Sequence, residues 1–186
     1  MGRWQPDAVG RLAVAALELF AERGYDETTV AEIAERAGLS ERTFFRHFAD
    51  KREVLFGGAS ELECKMVAAV AAAPAELPPI EAASRGVQMA GEMLGERPEF
   101  ACKRSRVIGA NAELQERELI KMASLTAAFT ETLHARGVGE PAASLTAEAA
   151  IMVFRVSFDR WVTDGGEFTD VITDSFDQLR AVTSAR

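Results

Sequence analysis

Leu12, Ala16, Leu17 and Phe20 recur at helical spacing. They predict an amphipathic helix over 7–23, with Asp7 in the first turn, where an acid suits the helix dipole. Gly24 stops it, and Tyr25, the only tyrosine, stands in the link that follows. Thr29 and Glu32 have capping-box spacing, so a second helix starts at Val30 and ends at Gly38, which supplies a left-handed stop. Ser40 can cap a third helix, with Glu41, Arg42 and Thr43 in its first turn. Val30, Ile33, Ala34, Leu39, Phe44 and Phe48 point inward, which leaves Arg42 and Arg46 on one exposed stripe. A short helix that presents arginines from a Gly-containing helical corner has the shape that enters a DNA major groove.

Asp50 and Glu53 repeat the cap pattern, and Val54, Leu55, Leu62, Met66, Val67 and Val70 carry a long helix from Lys51 to about Ala73. Gly57 and Gly58 interrupt it, either as a flexing point or to let helices pack closely. Pro74, Pro78 and Pro79 close it. Further helices are expected at 80–96, 98–110, 112–136, 143–164 and 169–184. Alternating strand patterns are missing, so the expected class is all-α with about nine helices. A winged helix-turn-helix, which needs a β-hairpin, is disfavoured. The run 149–158 is apolar almost all round and should be buried on more than one side. With Val171, Ile172, Phe176, Leu179 and Val182 it can form half of an intersubunit four-helix bundle.

Composition adds limits. The chain of 186 residues is 48% hydrophobic and 27% charged, ample for a core and without a disorder signature. No apolar run approaches a membrane span, and the first residues carry no apolar signal core, so a soluble cytoplasmic protein is expected. Cys64 and Cys102 imply no disulfide framework and are expected to be buried thiols. The net charge of −8 is unusual for a DNA binder, but residues 1–56 contribute only −2 of it. A local basic stripe can hold phosphate while an acidic body limits unspecific adhesion.

Ala16-Leu17-Glu18-Leu19-Phe20, Gly24-Tyr25, Thr29 to Ala34, Ala37-Gly38-Leu39-Ser40, Thr43-Phe44, Phe48 and Lys51 together resemble the N-terminal domain of the TetR family of transcriptional regulators. The resemblance covers residues 7–56. It implies a helix-turn-helix domain over 1–50, a helical ligand-binding and dimerisation domain over 51–186, and a homodimer joined through the last two helices. Such a dimer is usually a repressor on operator DNA, released by a small ligand. By the same resemblance Thr43 and Lys51 meet phosphate, with Thr29 at the start of the second helix. Phe45 and His47 fall where the family often has tyrosines. Phe45 cannot donate to phosphate and should pack against sugar, whereas His47 can donate or remain a solvated surface imidazole. Arg42 and Arg46 are the candidate base readers, since guanidinium forks pair with guanine edges; phosphate contact alone is the alternative. Ser40 and Glu41 complete the DNA-facing set.

A ligand pocket is implied by the family and by no motif. Its candidate lining is Met89, Met93, Phe100, Ile108, Met122, Phe129, Met152 and Phe158, with ordinary core packing as the alternative for each. Arg104, within the basic cluster Lys103-Arg104-Arg106, and Arg155 could meet an anionic head group. Arg155 could instead pair with Asp159. The stretch 111–117, with Arg160-Trp161 and Gly165-Gly166, faintly resembles family members that sense acyl-CoA-like ligands. No P-loop, dinucleotide turn, serine elbow or metal spacing is present, so neither an enzyme nor a cofactor or metal is expected. The rival classes are an activator of the same fold and an all-α adaptor that uses its helical corner for protein contacts.

Overall fold

Caps and glycines set the first three helices in the computed structural model, which describes residues 8–184; the expected role of Asp7 lies outside the described residues. Helix α1 (Ala8–Arg23) buries Leu12, Ala15, Ala16, Leu17, Leu19 and Phe20. Helix α2 (Val30–Arg36) opens with the full capping box. Thr29 Oγ1 accepts from the Glu32 N–H at 3.2 Å, and the Thr29 N–H donates to Glu32 Oε2 at 2.9 Å. At its other end Gly38 takes a φ of +65°, a conformation that a side chain would strain. The Leu39 N–H then reaches back to Ala34 O at 2.8 Å, so the turn satisfies carbonyls the helix would leave open. Helix α3 (Glu41–His47) is capped by Ser40, whose Oγ accepts from the Thr43 N–H at 3.2 Å.

The expected long helix from Lys51 to Ala73, interrupted at Gly57 and Gly58, is two pieces. Arg52–Phe56 forms a 3₁₀ turn, started by Asp50 Oδ1, which accepts from the Arg52 and Glu53 N–H groups. Gly57 and Gly58 follow, and α4 spans Ala59–Ala71. A Cβ at Gly57 would lie 2.8 Å from Phe48 Cε1 and 3.0 Å from Val9 Cγ1, whereas at Gly58 it would meet nothing. Close packing therefore explains Gly57. The remaining helices are α5 (Pro79–Gly95), α6 (Pro98–Gly109), α7 (Ala112–Ala135), α8 (Ala142–Asp164) and α9 (Phe168–Ser184). The nine helices among the described residues, with no strand, match the all-α expectation.

Two compact units emerge. The first holds the segment up to Ala59 together with Glu99–Glu118. Its core joins the α1–α3 residues to Val54, Leu55 and Phe56 and to Val107, Ile108 and Leu114 of α6 and α7. A three-helix corner of about 50 residues has little core of its own, and these side chains enlarge it. The second unit holds Ser60–Pro98 and Leu119 onward. Here α5, α8 and α9 pack pairwise. Gly86 allows the close approach of Phe129 and Val70, where a Cβ would stand 2.6 and 2.7 Å from their carbons. Trp161 stacks on Phe168 at 4.4 Å and donates its indole N–H to Gly166 O, which locks the turn between α8 and α9.

Candidate nucleic-acid interface

Helix α3 divides cleanly into two faces. Phe44 is fully buried, and Phe48 just beyond the helix is buried with it. Glu41, Arg42, Phe45, Arg46 and His47 are exposed. The ring of Phe45 leans edge-on against Phe44 and is 55% exposed, so a large apolar surface stands among the arginines.

Ion pairing then separates the arginines. Arg23 pairs with Glu32 at 2.8 Å, Arg36 with Glu22 at 3.0 Å, and Arg52 with Asp50 at 2.7 Å. Arg11 donates to Ala37 O. Arg42 and Arg46 have no carboxylate partner among the described residues; Arg46 reaches only His47 Nε2, at 3.4 Å. The two guanidinium groups on the outer face of α3 are thus left uncompensated in an acidic chain. That arrangement suits a fork-shaped donor meeting guanine edges or phosphate.

The expected phosphate contacts fare unevenly. Thr43 is half-buried, with its hydroxyl 3.1 Å from that of Ser40. The hydroxyl of Thr29 is occupied by Glu32 Oε2 at 2.9 Å. The Thr29 hydrogen bonds, together with Arg23, hold the Glu32 carboxyl below the usual range. Lys51 turns inward. Its Nζ donates to Tyr25 O at 2.7 Å and Thr28 O at 2.9 Å and lies 4.0 Å from the centre of the Tyr25 ring. Tyr25 is buried and 3.4 Å from Glu113 Oε2. Burial, and after it the Glu113 carboxylate, push its phenol up to about 12. Sequence reasoning assigned no role to Tyr25; its signal was to be the lone tyrosine beside a helix-stopping glycine.

The residues expected to line a ligand pocket fall in both units. Phe100, Arg104 and Ile108 belong to the first unit, the other seven to the second. Ile108 is core there. Arg104 donates to Leu55 O and Glu118, both at 2.9 Å, and lies over the Phe56 ring. In the second unit Phe129 is fully buried, and Met89, Met93, Met122 and Phe158 are half-buried. Met152 and Arg155 face outward, and no ion pair joins Arg155 to Asp159 among the described residues. Ser157, absent from that lining, is fully buried with its hydroxyl unpartnered among the described residues. The stretches resembling acyl-CoA sensors have structural work: Asn111 caps α7, Arg117 pairs with Glu53, and Arg160 pairs with Asp174. Cys64 is exposed and Cys102 half-buried, neither in a disulfide, which corrects the expectation of buried thiols. No helix among the described residues is long and apolar enough to cross a membrane.

Residues 12–56, which span most of α1 to the 3₁₀ turn, match the family model described as bacterial regulatory proteins, tetR family. This stretch is similar to the N-terminal domain of TetR-family regulators. The HTH-type transcriptional regulator TcmR of Streptomyces glaucescens is 46% identical over 69 residues, 37% of this chain and 30% of its own length. The HTH-type transcriptional activator FasR of Mycolicibacterium smegmatis is 44% identical over 45 residues, 24% of this chain and 20% of its own. The chain thus matches these HTH-type relatives over less than a third of their length. The similarity of fold extends further. The fatty acid degradation regulator FadR of Bacillus halodurans superposes with a TM-score of 0.62 at 18% identity, over 95% of this chain and 96% of that one.

Proposed function

We propose that the chain is a DNA-binding transcriptional regulator that acts as a homodimeric repressor on a near-palindromic operator and is released by a small apolar or amphipathic ligand. The observation that carries it is the outer face of α3, where Arg42 and Arg46 stand exposed without carboxylate partners while the other arginines of α1–α3 are held internally. In this reading residues 1–50 read DNA, and residues 51–186 bind ligand and dimerise. Arg42 and Arg46 meet base edges. Thr29, Ser40, Glu41, Thr43 and His47 line the approach to the backbone, and Phe45 packs against sugar.

Dimerisation is supported by a stripe on α8. Leu145, Met152 and Val156, at helical spacing, are 66%, 49% and 50% exposed, opposite the face that buries Ala147, Ala150, Phe154 and Trp161. On α9, Ile172 and Phe176 are taken up by the chain's own core, which leaves Val182 exposed. Two recognition helices related by a two-fold axis would sit about one DNA turn apart. The unpaired hydroxyl of Ser157 supports an effector with a polar group.

Footprinting on DNA flanking its own gene, with and without fatty acyl-CoA, tests both halves of the reading. Protection of a near-palindrome that acyl-CoA relieves is expected; calorimetry that finds no acyl-CoA binding, with DNA affinity unchanged, removes that ligand class. Arg42→Ala should cost about 1–3 kcal/mol at the preferred site and relax sequence choice. An equal loss on scrambled DNA would remove the base-reading role. Because FasR is an activator, a second reading keeps the same contacts and reverses the sign; a reporter under the protected site separates the two.

A further inference from the structure

We infer that Lys51 and Tyr25 form a latch across the open end of the helix-turn-helix, and that Lys51 serves DNA recognition by holding this geometry instead of by meeting phosphate. The inference rests on the reading of α3 as the DNA-facing helix.

A lysine ammonium has three N–H donors and no acceptor. Two of them go to Tyr25 O and Thr28 O, at 2.7 and 2.9 Å. The charge also rests over the Tyr25 ring, 4.0 Å from its centre, where the negative π-face attracts it. An arriving phosphate would find at most the third N–H, on an ammonium whose charge is already shared by two carbonyls and the ring face.

The position of those bonds gives the latch its purpose. Both carbonyls lie in the link between α1 and α2, which ends at Thr29, the cap of α2. Lys51 follows Phe48, the cap that ends α3, by three residues. A single ammonium therefore ties the chain entering α2 to the chain leaving α3. The link it grips is itself braced. The buried Thr28 hydroxyl donates to Gly24 O at 2.8 Å, and the Tyr25 ring meets Phe20 edge-on at 5.2 Å. Base reading requires side chains held to within about 0.5 Å, which a short helix on a small core achieves only with such supports. Arg42 and Arg46 are thus positioned by a residue that itself touches no DNA.

The test uses the full chain and two duplexes: one selected by the wild type from a random-sequence library, and a scrambled duplex of equal length. Binding is followed by fluorescence anisotropy over a salt series, below the melting temperature of each variant. Lys51→Met should weaken the selected duplex by about tenfold, the loss expected for a charged hydrogen-bond donor. The scrambled duplex should change little, and the slope of log K against log salt should not move. Lys51→Arg keeps the charge but replaces the compact ammonium with a planar fork of different reach and donor geometry, so it should also lose preference for the selected duplex. Tyr25→Leu combined with Lys51→Met should cost less than the two single losses summed, since the ring and the ammonium share one contact. The inference is overturned if Lys51→Met weakens both duplexes equally and flattens the slope by about 0.9 per protomer, the signature of one lost phosphate contact. It is equally overturned if Lys51→Arg binds like the wild type, a measurement that decides the matter should Lys51→Met fail to fold. Failure of the wild type to enrich any duplex would remove the DNA-binding reading itself, a distinct result.

Discussion

The turn between α2 and α3 can be tested by comparing two glycines that share a backbone requirement and differ in surroundings. Gly24 and Gly38 have φ values of +89° and +65°. An L side chain in that region costs about 1–2 kcal/mol. At Gly24 an added Cβ would meet nothing within 4 Å, so Gly24→Ala should cost only this conformational term. At Gly38 the Cβ would lie 2.9 Å from Arg11 Nη2, the far end of a flexible side chain. The arginine can move aside, but in moving it loses its charge-assisted bond to Ala37 O, worth about 1.5–3 kcal/mol. Gly38→Ala should therefore cost about 2.5–5 kcal/mol, about 1.5–3 kcal/mol more than Gly24→Ala. Urea unfolding followed by far-ultraviolet circular dichroism measures both, with the midpoints compared at equal slope. Gly38→Asn, which tolerates the left-handed region, should recover part of the loss. Equal shifts at the two sites would show that Arg11 contributes nothing to the turn. No shift at either would refute the backbone argument outright.

Three further outcomes are expected. Tyr25, as the sole tyrosine, can be titrated by its ultraviolet absorbance and should ionise near 12; since burial raises its pKa above the unfolded value of 10.0, its contribution to stability is complete below pH 10 and fades as pH rises toward 12. A midpoint near 10 would contradict the burial and the Glu113 contact. Thr29→Ala should cost about 0.5–2 kcal/mol by removing the cap of α2. Because Glu32 is held below its ordinary value of 4.5, its contribution is present above that value and lost as pH falls through the lowered one, so the variant should also unfold less steeply with acid, as melting between neutral and acid pH would reveal. Met152→Glu with Val156→Glu should yield a helical monomer in sedimentation where the wild type is a dimer at micromolar concentration; a monomeric wild type would remove the proposed bundle.

Legibility in the sequence followed the range of the interactions. The capping box at Thr29 and Glu32, the stop at Gly38 and the cap at Ser40 are all decided within four or five residues. Their side chains bond backbone groups nearby, so spacing alone announces them. The inward set Leu12, Phe20, Ile33, Phe44 and Phe48 was equally readable, because a helix period maps directly to a face. The interruption at Gly57 and Gly58 was readable, but the 3₁₀ form of Arg52–Phe56 was not, nor was the packing of Phe48 and Val9 that leaves no room for a side chain at Gly57.

What the sequence determined by itself was the all-α class, the three-helix corner and the arginine stripe on its third helix, since period, caps and exposed face are local properties. Only the tertiary structure decided which charges remain available. Lys51 and Arg104 look like free cations in the chain, yet each finds backbone carbonyls and an aromatic ring, the former across 23 and 26 residues and the latter across 49. The same is true of α9, where packing against α5 and α8 took Ile172 and Phe176 into the core. A residue's partner depends on where the chain returns, and hydrophobic periodicity says which way a side chain points without saying what it meets there.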